Sequence, residues 1–519
     1  MKKKWTFCPS KTVMYIITWT MINMFFLSVF PFMHTDEAWL AGLSRTMMAE
    51  GNPAVTESFF NLLPRSPHAI KLLFHLLQML FIKTIGYSLF TVRLLSLFAG
   101  AASLLFFAKF IEKISLPPLA GTILLSVEIQ FIYASHLGRQ EIFILLLMLI
   151  SLNALYSDKH MGLIRGLLSG LPIAAAAGFH PNAFIAAWPT GVLLLILIIC
   201  KKRSITEGLG FIITAASGAA AFIILSFLFN RGFVADYGSF GAEVGFFNPI
   251  DVKLLGFDDF YKKLFMRISG TYYTPNIIPL FTAAAAGGAA AIFSSIRKRT
   301  ASPALITALI GITSVNIGII LIGKYSAPSV IFLTPFLVIL IGCGSEHFSP
   351  AVGRILYAAA TAILLLNSSL MIIEETRGER ESLAEFNEKI SETISPKNRT
   401  LGGLSAGFYF DEGQLLDWRN LAFLDEAGMT LDEYIDNSGI EYIIYSDEID
   451  YIYNNRPVWN ILYGNPVIYY QQMQQFLSNR CELASEFNSP GYGTRLMMQR
   501  FKRDWIVRVY RLSQPDKLR

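Results

Sequence analysis

The chain has 519 residues, 53% of them hydrophobic, with a mean hydropathy of +0.47. A soluble protein of this size does not carry so many long apolar runs. The net charge is only +5, and no basic face on a soluble stretch is visible, which argues against nucleic-acid binding.

Runs of about 18 or more mostly apolar residues read as membrane spans. They fall near 13–31, 89–110, 117–136, 142–156, 162–179, 183–200, 206–229, 276–296, 303–322, 326–345 and 352–373, eleven in all. The basic N-terminus and first run lack a small-residue cleavage site before Pro31, so a retained helix is predicted rather than a signal peptide. The segment "HAIKLLFHLLQMLFIKTIG" (68–86) is ambiguous. At 100° per residue, His68, Lys71, His75 and Gln78 fall within about 80° of one another. A helix with one such stripe can lie in the membrane interface instead of crossing. That choice keeps the clusters Lys2–Lys4, Lys201–Arg203 and Arg297–Arg299 on one side, with Lys109, Lys113, Lys159, Arg165 and Arg354. Basic residues gather in cytoplasmic loops. The predicted topology therefore has a cytoplasmic N-terminus and an extracytoplasmic C-terminal domain. The expected fold class is a polytopic α-helical membrane protein, with a small α/β domain at the C-terminus. The expected domains are 1–373, including a first external loop 32–88 with juxtamembrane helices, and 374–519.

The four cysteines, Cys8, Cys200, Cys343 and Cys481, are far apart. They suggest neither a disulfide framework nor a zinc site.

In this topology polar residues gather on the outer side. "HTDEAWLAGLSRTMMAEG" (34–51) opens the first loop with Asp36 and Glu37, followed by Glu57, Arg65, His68 and Lys71. "SHLGRQE" (135–141) adds Arg139 and Glu141, "GFHPN" (178–182) adds His180, and "GKYSAP" (323–328) adds Lys324 and Tyr325. Each has a plain structural reading as well. Thr35 can cap a helix with Asp36 and Glu37 in its first turn. Arg139 and Glu141 can stop a helix at the surface, His180 before Pro181 can be a turn residue, and Lys324–Tyr325 can be interface anchors. Their shared side of the membrane favours a joint functional reading, because ionisable groups near membrane depth are costly.

Four stretches resemble the GT-C glycosyltransferases, in particular the branch of protein O-mannosyltransferases and lipid A aminoarabinose transferases. They are "HTDEAWLAGLSRTMMAEG", "PRSPHAIKLLFHLLQMLFIKTIGYSLFTVRLLSLFAG" (64–100), "SHLGRQEIFILLLMLISLNALY" (135–156) and "GKYSAPSVIFLTPFLVILIG" (323–342). The chain departs from many relatives at Pro67–His68, where they carry Pro-Pro, and at Glu141, where Asp is frequent.

The resemblance implies a sugar donor linked to polyprenyl phosphate and an acceptor hydroxyl on a lipid, a glycan or a protein, at a multi-pass protein of the cell membrane. Such a transfer needs a carboxylate to take the hydroxyl proton. It also needs cations or strong donors on the departing phosphate. Asp36 matches the family's catalytic acidic position and is the expected base. Glu37 is its neighbour, tuning its pKa by like charge or orienting the acceptor; Glu57 is the second-choice carboxylate. Arg65, His68, Lys71, Arg139 and Lys324 are phosphate candidates, with Arg139 and Lys324 preferred. Glu141 would hold Arg139, His180 would contact sugar or phosphate, and Tyr325 accompanies Lys324. Attack opposite the leaving group implies inversion. No cofactor is expected, and the absence of metal-ligand spacing predicts metal independence.

In the tail, "ESLAEFNEKISETI" (381–394) has helical spacing. Thr430 and Glu433 form a capping box ahead of a second helix, with strands expected at "IEYIIYS" (440–446) and 504–513. The tail would either cover the site and help choose the acceptor, or simply stabilise the fold. The competing function is a transporter or flippase of lipid-linked glycans, which predicts broken helices and ionisable groups near mid-bilayer.

Overall fold

The computed structural model describes residues 10–157, 162–268, 272–376, 381–494 and 504–513. Lys2–Lys4, Cys8 and Lys159, which entered the topology and cysteine arguments, lie outside them. Helices come first: α1 (Lys11–Met24), α2 (Thr35–Glu50), α3 (Leu72–Ile85), α4 (Leu89–Lys113), α5 (Pro118–Ser126), α6 (Ile129–His136), α7 (Glu141–Leu155), α8 (Leu163–Ala177), α9 (Ala183–Ile199) and α10 (Ile205–Phe229). They continue with α11 (Phe233–Glu243), α12 (Ile250–Phe265), α13 (Ile278–Lys298), α14 (Pro303–Ile322), a 3-10 turn (Ala327–Phe332) running into α15 (Thr334–Ser345), and α16 (Pro350–Thr376). The C-terminal part alternates: α17 (Leu383–Ser391), β1 (Thr400–Gly402), β2 (Leu415–Asp417), α18 (Leu431–Asn437), β3 (Tyr442–Ser446), α19 (Glu448–Asn455), α20 (Tyr470–Arg480), β4 (Cys481–Ser489) and β5 (Trp505–Leu512).

Six helices among the described residues are long and apolar enough to cross a membrane: α4, α10, α13, α14, Ala327–Ser345 and α16. A further expected span, 117–136, is bent by 69° between α5 and α6. Glu128 causes the break. Its carboxylate accepts the N–H of Phe131 at 2.9 Å and so starts a new helix inside the apolar run. The other four expected spans form shorter helices: α1 has 14 residues, α7 and α8 have 15, and α9 has 17. At 1.5 Å per residue such helices reach about 21–26 Å, short of a hydrocarbon core of about 30 Å. The segment 68–86 also forms a short helix, α3. These helices and the small C-terminal sheet make a polytopic membrane protein with a C-terminal domain.

The chain divides into two compact units. The first comprises the described parts of Met1–Pro31, His68–Phe74 and Arg93–Glu374. Its helices cross closely where side chains are small. A Cβ on Gly287 of α13 would sit 2.6 Å from the Leu340 carbonyl of α15, so the "AAAAGGAAA" run works as a contact face. Arg165 lies in the first turn of α8, inside the expected span 162–179. It forms a buried ion pair with Glu207 of α10 at 3.1 Å.

The second unit gathers Phe32–Pro67, His75–Val92 and the described part of Glu375–Arg519. Its mixed sheet has the order β2-β1-β3-β5-β4, with β1 parallel to β2 and β3, and β5 antiparallel to β3 and β4. The capping box at Thr430 and Glu433 is present at the start of α18. First-loop residues share this unit's core. Met33, Ala38, Ala41, Phe59 and Phe60 pack with Phe386, Leu404, Phe410 and Val509. Polar bonds lock the join. The Asn420 side-chain oxygen accepts the N–H groups of Asn61, Leu62 and Leu63 at 3.1 Å. Arg45 of α2 pairs with Glu412 and donates to the Phe410 carbonyl at 2.7 Å. His75 and Gln78 are buried rather than lying on an exposed stripe, and both bond the Ser44 hydroxyl of α2 at 2.9 and 2.8 Å.

Candidate active site

The second unit carries the acidic candidates. The cap of α2 is His34, not Thr35: the Asp36 N–H donates to His34 Nδ1 at 3.0 Å. Glu37 closes the capping box by accepting the His34 N–H at 2.9 Å, and it is fully buried. Its carboxylate is therefore built into the helix start. The Asp36 side chain is 21% exposed, with its carboxylate 3.6 Å from His34 Nδ1. Of the acidic pair, Asp36 is the more exposed member.

Glu57 is held differently. It accepts from Trp39 Nε1 at 2.5 Å and from Arg65 at 3.1 and 3.2 Å. Burial pushes its pKa up, but the Arg65 charge and these bonds outweigh it, and the net direction is down. A carboxylate so paired is a poor proton acceptor. Arg65 is correspondingly committed to Glu57, and its guanidinium stands 5.1 Å over the Trp39 ring. Because the folded pKa is lowered, this pairing stabilises fully above the ordinary carboxylate value and is lost as pH falls through the depressed value. Glu57→Gln should lower stability by about 1–3 kcal/mol at neutral pH. The gap between wild type and variant should close in acid, as thermal unfolding across pH would reveal. A gap independent of pH would rule the ionic pairing out.

The first unit carries the cationic candidates. Arg139 lies just before α7, where Glu141 in the first helical turn receives it in a two-pronged pair at 3.0 and 3.3 Å. Both side chains are largely buried, and a carboxylate suits this helix end. Tyr272 bonds Arg139 through its hydroxyl and lies under the guanidinium, 4.6 Å from ring centroid to carbon. The turn between α8 and α9 brings His180. The segment with Lys71 is drawn to that turn, since the Leu73 N–H donates to the Gly178 carbonyl at 3.0 Å. Gly178 permits the approach: a Cβ there would meet Phe222 at 2.3 Å and Leu73 at 2.8 Å. Lys324 follows α14 with its ammonium 5.0 Å from the Phe240 ring.

These cations converge electrostatically on His180. Its pKa lies well below the usual histidine value, first through burial and then through the charges of Lys71, Arg139 and Lys324, opposed by its bond with Asn182. The Asn182 N–H donates to His180 Nδ1 at 3.1 Å, which leaves the ring proton of the neutral imidazole on Nε2. The result is one neutral donor among three cations. That combination suits a phosphate.

Tyr325 and His68 have aromatic neighbours. The Tyr325 hydroxyl donates to the Lys253 carbonyl, and its ring packs on Phe260 at 5.7 Å. His68 lies tilted to the Phe233 ring and edge-on to the Tyr237 ring, at 6.5 and 6.4 Å between centroids. Sequence reasoning missed His34, Trp39 and Tyr272. Only Tyr272 had a signal, as one of the aromatics crowding the loop 230–275. Among the described residues no three His, Cys, Asp or Glu side chains gather as metal ligands.

No family model and no curated protein matches the sequence. Solved structures do. ArnT from Cupriavidus metallidurans bound to undecaprenyl phosphate is 13% identical, with a TM-score of 0.59 over 96% of this chain and 97% of that one. The oligosaccharyltransferase of Archaeoglobus fulgidus in the apo form is 10% identical, with a TM-score of 0.52 over 87% of this chain and 71% of that one. The archaeal oligosaccharyltransferase AglB from the same organism, in complex with an inhibitory peptide and a dolichol-phosphate, is 11% identical, with a TM-score of 0.50 over 85% and 70%. The chain therefore has the fold of the GT-C glycosyltransferases.

Proposed function

We propose that this protein is an integral membrane glycosyltransferase. It moves a sugar from a polyprenyl-phosphate donor to an acceptor hydroxyl at the extracytoplasmic face, with the N-terminus cytoplasmic. The observation that carries this reading is the turn bearing His180, to which the Leu73 N–H ties the Lys71 segment through the Gly178 carbonyl and on which the charges of Lys71, Arg139 and Lys324 act. The acceptor oxygen attacks the anomeric carbon from the side opposite the phosphate. The bond from that carbon to the phosphate oxygen breaks, Asp36 takes the hydroxyl proton, and polyprenyl phosphate departs. Arg139 and Lys324 neutralise the charge that grows on the phosphate, and His180 donates from Nε2. Side chains, not a metal ion, are the expected partners of that phosphate. The likeness to ArnT bound to undecaprenyl phosphate and to AglB with a dolichol-phosphate supports a lipid-linked donor.

One observation favours the transporter reading. The break between α5 and α6 places the buried Glu128 inside an apolar run, and broken helices with ionisable groups are features of transporters. Two measurements separate the readings. Analysis of glycans and lipid-linked sugars in a strain lacking the gene should show an unused donor and an acceptor missing its sugar. The purified protein in detergent, where there is no second compartment, should then transfer sugar from that donor to that acceptor. Loss of the glycan in cells with no transfer in detergent would favour the transporter.

A further inference from the structure

A cavity of about 290 Å³ lies among α4, α7 and α8, lined by Lys109, Lys113, Asn153, Arg165, Phe106 and Leu168, among others. It is distinct from the cluster around His180. Arg139 precedes α7 and His180 follows α8, whereas Asn153 is in the last turn of α7 and Arg165 in the first turn of α8. The two sites are thus at opposite ends of the same helix pair, about 20 Å apart along α7 at 1.5 Å per residue.

The chemistry of the lining is specific. Lys109 and Lys113 are exposed at the end of α4, and Lys113 donates to the Asn153 carbonyl at 2.6 Å. Arg165 is 4% exposed, and its Nε–H is buried without an acceptor. Glu207 pairs with Arg165 at 3.1 Å and also lies 3.6 Å from Arg203, so one carboxylate serves two guanidinium groups. Glu112 on α4 is exposed and does not line the cavity. Among the described residues of the lining, positive charge is therefore in surplus. The Asn153 side-chain oxygen is likewise buried without a donor. Buried polar groups of this kind call for a partner. The remaining wall, Phe106 and Leu168, is apolar.

We propose that this cavity binds the phosphate headgroup of an anionic lipid in the leaflet opposite the active site. The phosphate oxygens accept from Arg165 Nε and the two lysines, a headgroup hydroxyl donates to Asn153, and the apolar wall meets the glycerol and chains. Basic pockets between membrane helices take headgroups in this way.

The test titrates the purified full-length protein with short-chain phosphatidylglycerol, short-chain phosphatidylcholine and inorganic phosphate, with binding followed by native mass spectrometry. One phosphatidylglycerol should bind in preference to phosphatidylcholine. Lys109→Gln with Lys113→Gln should weaken it on the order of tenfold or more, since each basic residue near the surface is worth about 1 kcal/mol. Both lysines are exposed, so the variant should fold. Displacement by inorganic phosphate at equal concentration would make free phosphate the ligand and overturn the lipid assignment. An unchanged affinity in the double variant would overturn the site. So would an equal loss in a control carrying Lys201→Gln and Lys202→Gln.

Discussion

Asp36→Asn should slow sugar transfer by roughly 10²–10⁴-fold, the range lost when a positioned general base is removed, with little change in the unfolding temperature. The argument rests on how α2 begins. The His34 ring accepts the Asp36 N–H and the Glu37 carboxylate accepts the His34 N–H, so the capping box is built from His34 and Glu37. Removing the charge weakens a favourable interaction with the helix dipole, about 0.3–1 kcal/mol, and the contact with His34 at 3.6 Å. Glu37 provides the contrast. Glu37→Gln retains an acceptor for the His34 N–H, because Gln also closes a capping box. Glu37→Ala should cost about 0.5–2 kcal/mol of stability instead. Transfer at the wild-type rate by a folded, membrane-inserted Asp36→Asn protein would sink the base assignment.

Replacing Arg139 should be nearly as damaging, about 10²–10³-fold, the effect of losing one strong donor to developing negative charge. A simple truncation is ambiguous, because it strands the buried Glu141 carboxylate and can cost about 3–5 kcal/mol. The cleaner variant is Arg139→Gln with Glu141→Gln, which removes both charges of the pair at once. It should remain folded and transfer poorly. Arg139→Lys should rescue little, since an ammonium cannot reproduce the fork on Glu141 or the stacking on Tyr272. Single-turnover rates with saturating donor would separate loss of chemistry from loss of binding. A double variant with full activity would leave Arg139 a structural residue only.

Local signals in the sequence were legible. The long apolar helices, the capping box at Thr430 and Glu433 and strands β3 and β5 each depend on residues close in the chain. Strands β1 and β2 were not legible, since three residues are too few to display a period of two. The break at Glu128 had a visible signal, an acid inside the apolar run 117–136. Read by composition, it counted as one tolerated charge; read as a cap, it starts a new helix.

The candidate site divides in the same way. Residue type, predicted sidedness and the family resemblance single out Asp36, Arg139, His180 and Lys324, alongside Glu37, Glu57 and Tyr325. They do not tell which of these are spent on structure. Glu57 is taken by Trp39 and Arg65, Glu37 by the backbone of His34, and Tyr325 by the Lys253 carbonyl. Such commitments depend on partners reached through packing, and neighbours in sequence carry no record of them. The membrane class and the position of polar residues at helix ends follow from hydropathy, because lipid leaves a spanning chain few alternatives to the helix. The convergence of Lys71, Arg139 and Lys324 on His180, and the sharing of one core by the first loop and the C-terminal sheet, were decided only by tertiary structure. Both join residues far apart in the chain, and close packing rather than local propensity selects them.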